Sequence, residues 1–157
     1  MIKKQEIEVA QASWGGGVVK IGTLKGEREA CESYTQEFVK EHYDFTNKEV
    51  LFKPTKAALR QFRPTHEGAL SYFIGGNGAF PEDKGFAIQP WTKVRFENES
   101  IILEKGRALA MGNYFFTDLN GDETKVEYTF GYTKDEEGNL KIDVHHSSLP
   151  FNMPPNA

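Results

Sequence analysis

The chain has 157 residues, 38% hydrophobic and 13% aromatic, which suits one aromatic-rich domain over residues 1–157 and leaves no room for two. Its 19 Lys and Arg against 23 Asp and Glu give a formal net charge of -4, without the electrostatic footprint of a nucleic-acid or membrane-surface binder. The single cysteine, Cys31, excludes an internal disulfide and any cysteine-based zinc site.

The opening Met1-Ile2-Lys3-Lys4-Gln5-Glu6 has no signal or transit character, and the apolar runs are too short for a bilayer span, so a cytoplasmic protein is expected. Ile7, Ala10, Trp14, Val18 and Ile21 recur every three or four positions and predict a helix over 3–22. Gly15-Gly16-Gly17 inside it marks either a break or a close helix contact. A second helix is expected over 27–43, with Ala30, Tyr34 and Phe38 on one side. Val50 to Thr55 reads as a short strand whose Pro54 puts it at an edge or strand end. Thr65 is the expected N-cap of a short helix, 66–74, closed by Gly75-Gly76. Four strands should follow, at 86–98, 101–117, 124–133 and 140–148. The turns between them fall at Asn98-Glu99-Ser100, Asn120-Gly121-Asp122 and Glu136 to Asn139. Residues 152–157 form a short C-terminal tail. Helices first and a long meander after them indicate an α+β fold, with the helices covering one face of a curved sheet that closes into a cone.

Several chemistries fail on spacing. His42, His66, His145 and His146 do not make a zinc ligand pattern, and two adjacent strand histidines point to opposite faces. The segment Asp118 to Glu123 begins like a calcium loop but lacks the glycine at its sixth position and has Thr129 where the closing glutamate belongs, so a hairpin turn is expected. What remains is the run Asp143-Val144-His145-His146-Ser147-Ser148 on the last strand. Leu140, Ile142 and Val144 share one face, and period two then carries His146 and Ser148 inward, unless a bulge intervenes. A polar pair ending an apolar face needs a reason, because unpartnered burial costs about 1–3 kcal/mol. A histidine satisfied inside the core is the plain alternative to a functional one. Thr55 and Tyr72 are two further polar residues that can meet the same cavity. Tyr128, Phe130 and Tyr132 alternate on one sheet face, as core or as an interface.

The chain resembles the association domain of calcium/calmodulin-dependent kinase II, of the nuclear transport factor 2-like superfamily, and more closely the iota-class carbonic anhydrases. The resemblance is carried by Phe52-Lys53-Pro54-Thr55, by the stretches Gly68 to Gly76, Pro81 to Phe86 and Ala110 to Phe116, by Tyr128-Thr129-Phe130-Gly131-Tyr132, and by His145-His146-Ser147-Ser148. It implies a cone-shaped fold, reversible hydration of carbon dioxide to bicarbonate with no metal or other cofactor, and a homodimer joined through the sheets. It also implies that the family's pocket threonine, tyrosine, histidine and serine fall on Thr55, Tyr72, His146 and Ser148. A register one residue different substitutes His145 and Ser147. On this reading Thr55, Tyr72 and Ser148 hold water and carbon dioxide, His146 accepts the proton, and Phe73 and Phe130 wall the site. The same fold also serves as a non-catalytic oligomerisation hub or small-molecule-binding module, with Tyr128 and Tyr132 at an interface. A cyclase or isomerase of this fold would want a carboxylate in the cavity.

Overall fold

The computed structural model describes residues 1–152, so all of the expected tail except Asn152 lies outside the described residues. Helix α1 spans Lys4–Thr23 without a break. Its glycines serve close approach: a Cβ at Gly17 would lie 2.4 Å from the Phe38 ring of α2 (Arg28–His42), and one at Gly15 would lie 3.1 Å from Val94. Backbone of α1 therefore seats directly on α2 and on the sheet, which is the contact arm of the expectation.

Strand β1 (Leu51–Lys53) is followed by α3 (His66–Ile74), whose Thr65 side chain caps the Gly68 N–H. Gly75 and Gly76 close α3 at positive φ, 65° and 80°, which glycine adopts without strain. Phe86–Ile88 is a short 3-10 helix, not the start of a strand, and Pro90, with no N–H to give a ladder, separates it from β2 (Trp91–Leu103). The strands β3 (Arg107–Asp118), β4 (Glu123–Lys134) and β5 (Leu140–Ser148) complete one sheet in the order β1-β5-β4-β3-β2. All neighbours are antiparallel except β1 and β5.

The expected turn at Asn98-Glu99-Ser100 is instead a bulge within one long strand. Asn98 pairs with Gly112 and Ser100 with Met111, so Glu99 is the extra residue. Gly112 permits it, since a Cβ there would stand 2.0 Å from the Glu97 carbonyl oxygen. The chain reverses later, where the Glu104 N–H bonds the Arg107 carbonyl at 2.8 Å. This bulge, with a second in β5, coils the sheet around α1. Trp14, 2% exposed, sits in the hollow with its ring 5.6 Å from Tyr114 and 5.9 Å from Phe130. Tyr128, Phe130 and Tyr132 all face this hollow at 1% exposure or less, so they belong to the core and not to an interface. No described helix is long and apolar enough to cross a membrane.

Candidate active site

The inner face of β5 changes parity at Asp143. Tyr132 pairs with Ile142 and Gly131 with Val144, which leaves Asp143 as an extra residue. Ile142 points inward before the bulge, and His145 and Ser147 point inward after it, 2% and 1% exposed. His146 is exposed on the outer face, and Ser148 is half-buried there with its hydroxyl donating to Glu127 at 2.9 Å. The expectation that His146 and Ser148 face the cavity is therefore corrected to His145 and Ser147. Alternation fails because one bulged residue moves every later side chain to the other face. Val144 turns outward with it and gives up burial.

Around His145 the side chains form one hydrogen-bonded chain. Trp14 Nε1–H donates to the Tyr43 hydroxyl oxygen at 3.0 Å, and that hydroxyl lies 2.8 Å from His145 Nδ1. His145 Nε2 lies 3.0 Å from the Tyr114 hydroxyl. Tyr114 in turn donates to Ser147 Oγ, which is 2.6 Å from Thr55 Oγ1. The Tyr114 hydroxyl has one proton and gives it to Ser147, so it accepts from His145 Nε2–H. In the neutral ring Nδ1 is then left to accept from Tyr43, whose oxygen accepts from the indole N–H. Ser147 and Thr55 share the next hydrogen bond, in which either hydroxyl can donate, so one hydroxyl proton of the pair is left over for a ligand. Parallel pairing brings these ends together: Phe52 pairs with His145 and Lys53 with His146, and just past the end of β1 the Thr55 hydroxyl reaches Ser147.

Tyr72 stands beside Thr55, its hydroxyl accepting from the Lys56 N–H at 3.1 Å and keeping its own proton to donate. Its helix is anchored by Arg63, fully buried, which donates to both oxygens of Asp83 at 2.8 and 2.7 Å while Ser71 donates to the same carboxylate. Phe130 packs on the His145 ring at 4.3 Å and Phe52 stacks on it at 4.8 Å. Phe73 lies one layer back, 6.3 Å from Phe52 and 6.4 Å from Trp14. So the structure brings Thr55, Tyr72 and Phe130 to the His145–Ser147 end, sets Phe73 behind it, and leaves His146 and Ser148 outside.

Burial dominates the electrostatics. It pushes the Tyr43, Tyr72 and Tyr114 hydroxyls well above ordinary phenol values, so all three stay protonated. It drives His145 well below the usual imidazole range, with the neighbouring His146 adding to the effect. Asp143 is pushed up by burial and held down by Arg107 and Lys48, which win. The assembly around His145 is neutral and fully protonated at its hydroxyls. Among the described residues no three His, Cys, Asp or Glu side chains are close enough to hold a metal ion. The sequence pattern places Trp14 on a helix face and Tyr114 in the core or at an interface, and singles out neither of them, nor Tyr43, as a site residue. Tyr114 alternates with Ala108, Ala110 and Phe116 on a buried face, which is a visible signal. Nothing local marks Tyr43 or Trp14 as more than core.

Residues 5–149 match the model of the family described as metal-independent carbonic anhydrase. A metal-independent carbonic anhydrase from Nostoc sp. (strain PCC 7120) is 42% identical over 154 residues, 96% of this chain and 75% of that protein. The crystal structure of the iota-carbonic anhydrase from a cyanobacterium, complexed with bicarbonate, superposes with a TM-score of 0.93 at 39% identity, covering 97% of this chain and 94% of that one. A nuclear transport factor 2-like superfamily protein from Salmonella enterica shares the fold at 15% identity and a TM-score of 0.61, over 97% and 94% of the two chains. With a neutral histidine–hydroxyl chain in the hollow of this cone and a family match over nearly its whole length, the chain belongs to the metal-independent carbonic anhydrases.

Proposed function

We propose that this protein catalyses the reversible hydration of carbon dioxide to bicarbonate at the Thr55 end of the buried chain, without a metal. The observation that carries the reading is the hydrogen-bonded run from Trp14 through Tyr43, His145, Tyr114 and Ser147 to Thr55, which leaves one hydroxyl proton of the Ser147–Thr55 pair to donate beside Tyr72. Two neutral hydroxyl donors side by side suit an oxygen that gains negative charge as carbon dioxide becomes bicarbonate. Ser147 and Thr55 hold the attacking water in line with the carbon, and such orientation is worth about 7–11 kcal/mol of barrier at its upper limit. The water oxygen forms the new C–O bond, one C=O pair moves onto oxygen, and the released proton passes to solvent. It leaves by the Thr55 end, because the other end closes on Trp14 Nε1–H, which cannot accept a proton. Burial keeps His145 neutral, so its task is to hold Tyr114 and Ser147 in one orientation, and not to store the proton.

The test is stopped-flow hydration of carbon dioxide before and after exhaustive chelation. Activity should survive chelation, and Ser147→Ala should lower kcat/KM about 100-fold, the cost of a misplaced reacting geometry once the hydroxyl that orients Thr55 and the water is gone. His146→Ala and Ser148→Ala should stay within about twofold, since neither side chain reaches the hollow. Wild-type rates in Ser147→Ala would remove this site from the reaction.

A homodimer is part of the proposal. Ile102, Leu109 and Met111 meet on the outer sheet face, with Met111 58% and Ile102 55% exposed. Adjoining exposed apolar side chains of this kind favour a covered face.

A further inference from the structure

The run His145-His146-Ser147-Ser148 is degenerate towards a one-residue slip. Without the bulge, β5 would pair Asp143 with Gly131 and send Val144, His146 and Ser148 inward, presenting the same two polar types at the same spacing and burying one more apolar residue. The hydrophobic pattern therefore favours the straight strand, and something outside the pattern must select the bulged one. That something sits on the opposite face of the sheet. Arg107 on β3 reaches across β4 and donates to both oxygens of Asp143, at 2.8 and 3.0 Å, while Lys48 donates to the same carboxylate at 2.9 Å from the segment between α2 and β1. Gly131 makes the crossing possible: a Cβ there would be 2.7 Å from the Arg107 guanidinium and 3.1 Å from an Asp143 oxygen. Asp143 is only 9% exposed, so its charge depends on these two partners.

We propose that the Arg107–Asp143 bridge over Gly131, with Lys48, is a register lock that selects which histidine and which serine enter the active site. Sliding β5 by one residue moves Asp143 by about 3.3 Å, more than a two-bonded guanidinium–carboxylate pair tolerates. Arg107, Asp143, Lys48 and Gly131 are thus positioning residues, acting on His145 and Ser147 through the β5 backbone. The consequence for rate rests on the function proposed above; the consequence for the ring of His145 does not.

The experiment compares Arg107→Ala, Arg107→Lys and Asp143→Asn with wild type by 15N-edited spectra of the histidine rings and by carbon dioxide hydration. The wild type should show one buried, hydrogen-bonded Nε2–H ring. Arg107→Ala should show a second set of ring signals from a protected His146 and lose at least about tenfold in kcat, a cost typical of a misplaced reacting geometry. Arg107→Lys, which still reaches one carboxylate oxygen, should recover part of both. If Arg107→Ala is too unstable to measure, Asp143→Asn keeps the side-chain shape, removes the charge and should give the same second ring set. Unchanged ring spectra in the folded variants overturn the lock, whatever the rates. A wild type with the expected ring signal and no hydration activity would overturn the proposed function and leave the lock standing.

Discussion

Single side chains decide the protonation pattern of the site. The Tyr114 hydroxyl gives its one proton to Ser147, and that constraint places the ring proton of His145 on Nε2 and leaves Nδ1 to accept from Tyr43. Burial then keeps that imidazole uncharged. His42 is held neutral too, its pKa lowered to about 4 by burial and by the nearby Lys141 ammonium. Both groups have folded-state values below their unfolded ones, so the unfolded chain binds more protons at acid pH. Stability is therefore complete above the unfolded pKa of about 6.5 and declines as pH falls below it, by about 1.4 kcal/mol per pH unit for each neutral histidine. Urea midpoints from pH 7.5 to 4.5 should follow this decline, and His42→Gln should remove about half of it. A midpoint independent of pH in that window would mean that both rings protonate in the folded state. Residue chemistry of this kind is partly legible in sequence: Thr55 and Tyr72 stand out as polar groups flanking apolar ones, and the structure sets Thr55 against Ser147 and Tyr72 beside Thr55.

At the scale of elements, the periodic patterns locate helices and strands well and fail wherever a glycine's purpose lies on another element. The expectation for 66–74 with its Thr65 cap and glycine stop matches α3, because capping is local chemistry. Gly112 and Gly131 are different. Each opens room for an irregularity or a crossing side chain on a neighbouring strand, and neither need is written nearby in the chain. Gly17 shows the same logic for helices. Alanine there gains about 1 kcal/mol of helix propensity, but its Cβ would meet the Phe38 ring at 2.4 Å. Overpacking of that severity costs about 1–3 kcal/mol. Gly17→Ala should thus lower the thermal midpoint, whereas Gly16→Ala, with nothing within 4 Å, should raise it or leave it unchanged. A stabilised Gly17→Ala would show that α1 and α2 are free to separate.

For the whole molecule, a curled sheet wrapped on α1 gives two surfaces with different tasks. The inner one is aromatic and carries the neutral hydrogen-bonded chain; the outer one carries the Arg107–Asp143 bridge and the apolar group at Ile102 and Met111. If that outer face joins two copies, sedimentation should report a dimer at micromolar concentration, and Met111→Lys with Ile102→Lys should shift it to monomer while the ring spectrum of His145 stays as it was. A monomeric wild type would show that the patch stays uncovered.

Composition, periodicity and caps were enough to determine an α+β chain with early helices, a late meander and a polar pair on its last strand, because each of these depends on neighbours in sequence. Which histidine and which serine form that pair was decided only in three dimensions. A bulge at Asp143, braced by an arginine two strands away, reverses the faces of β5, and no pattern confined to β5 can carry that information.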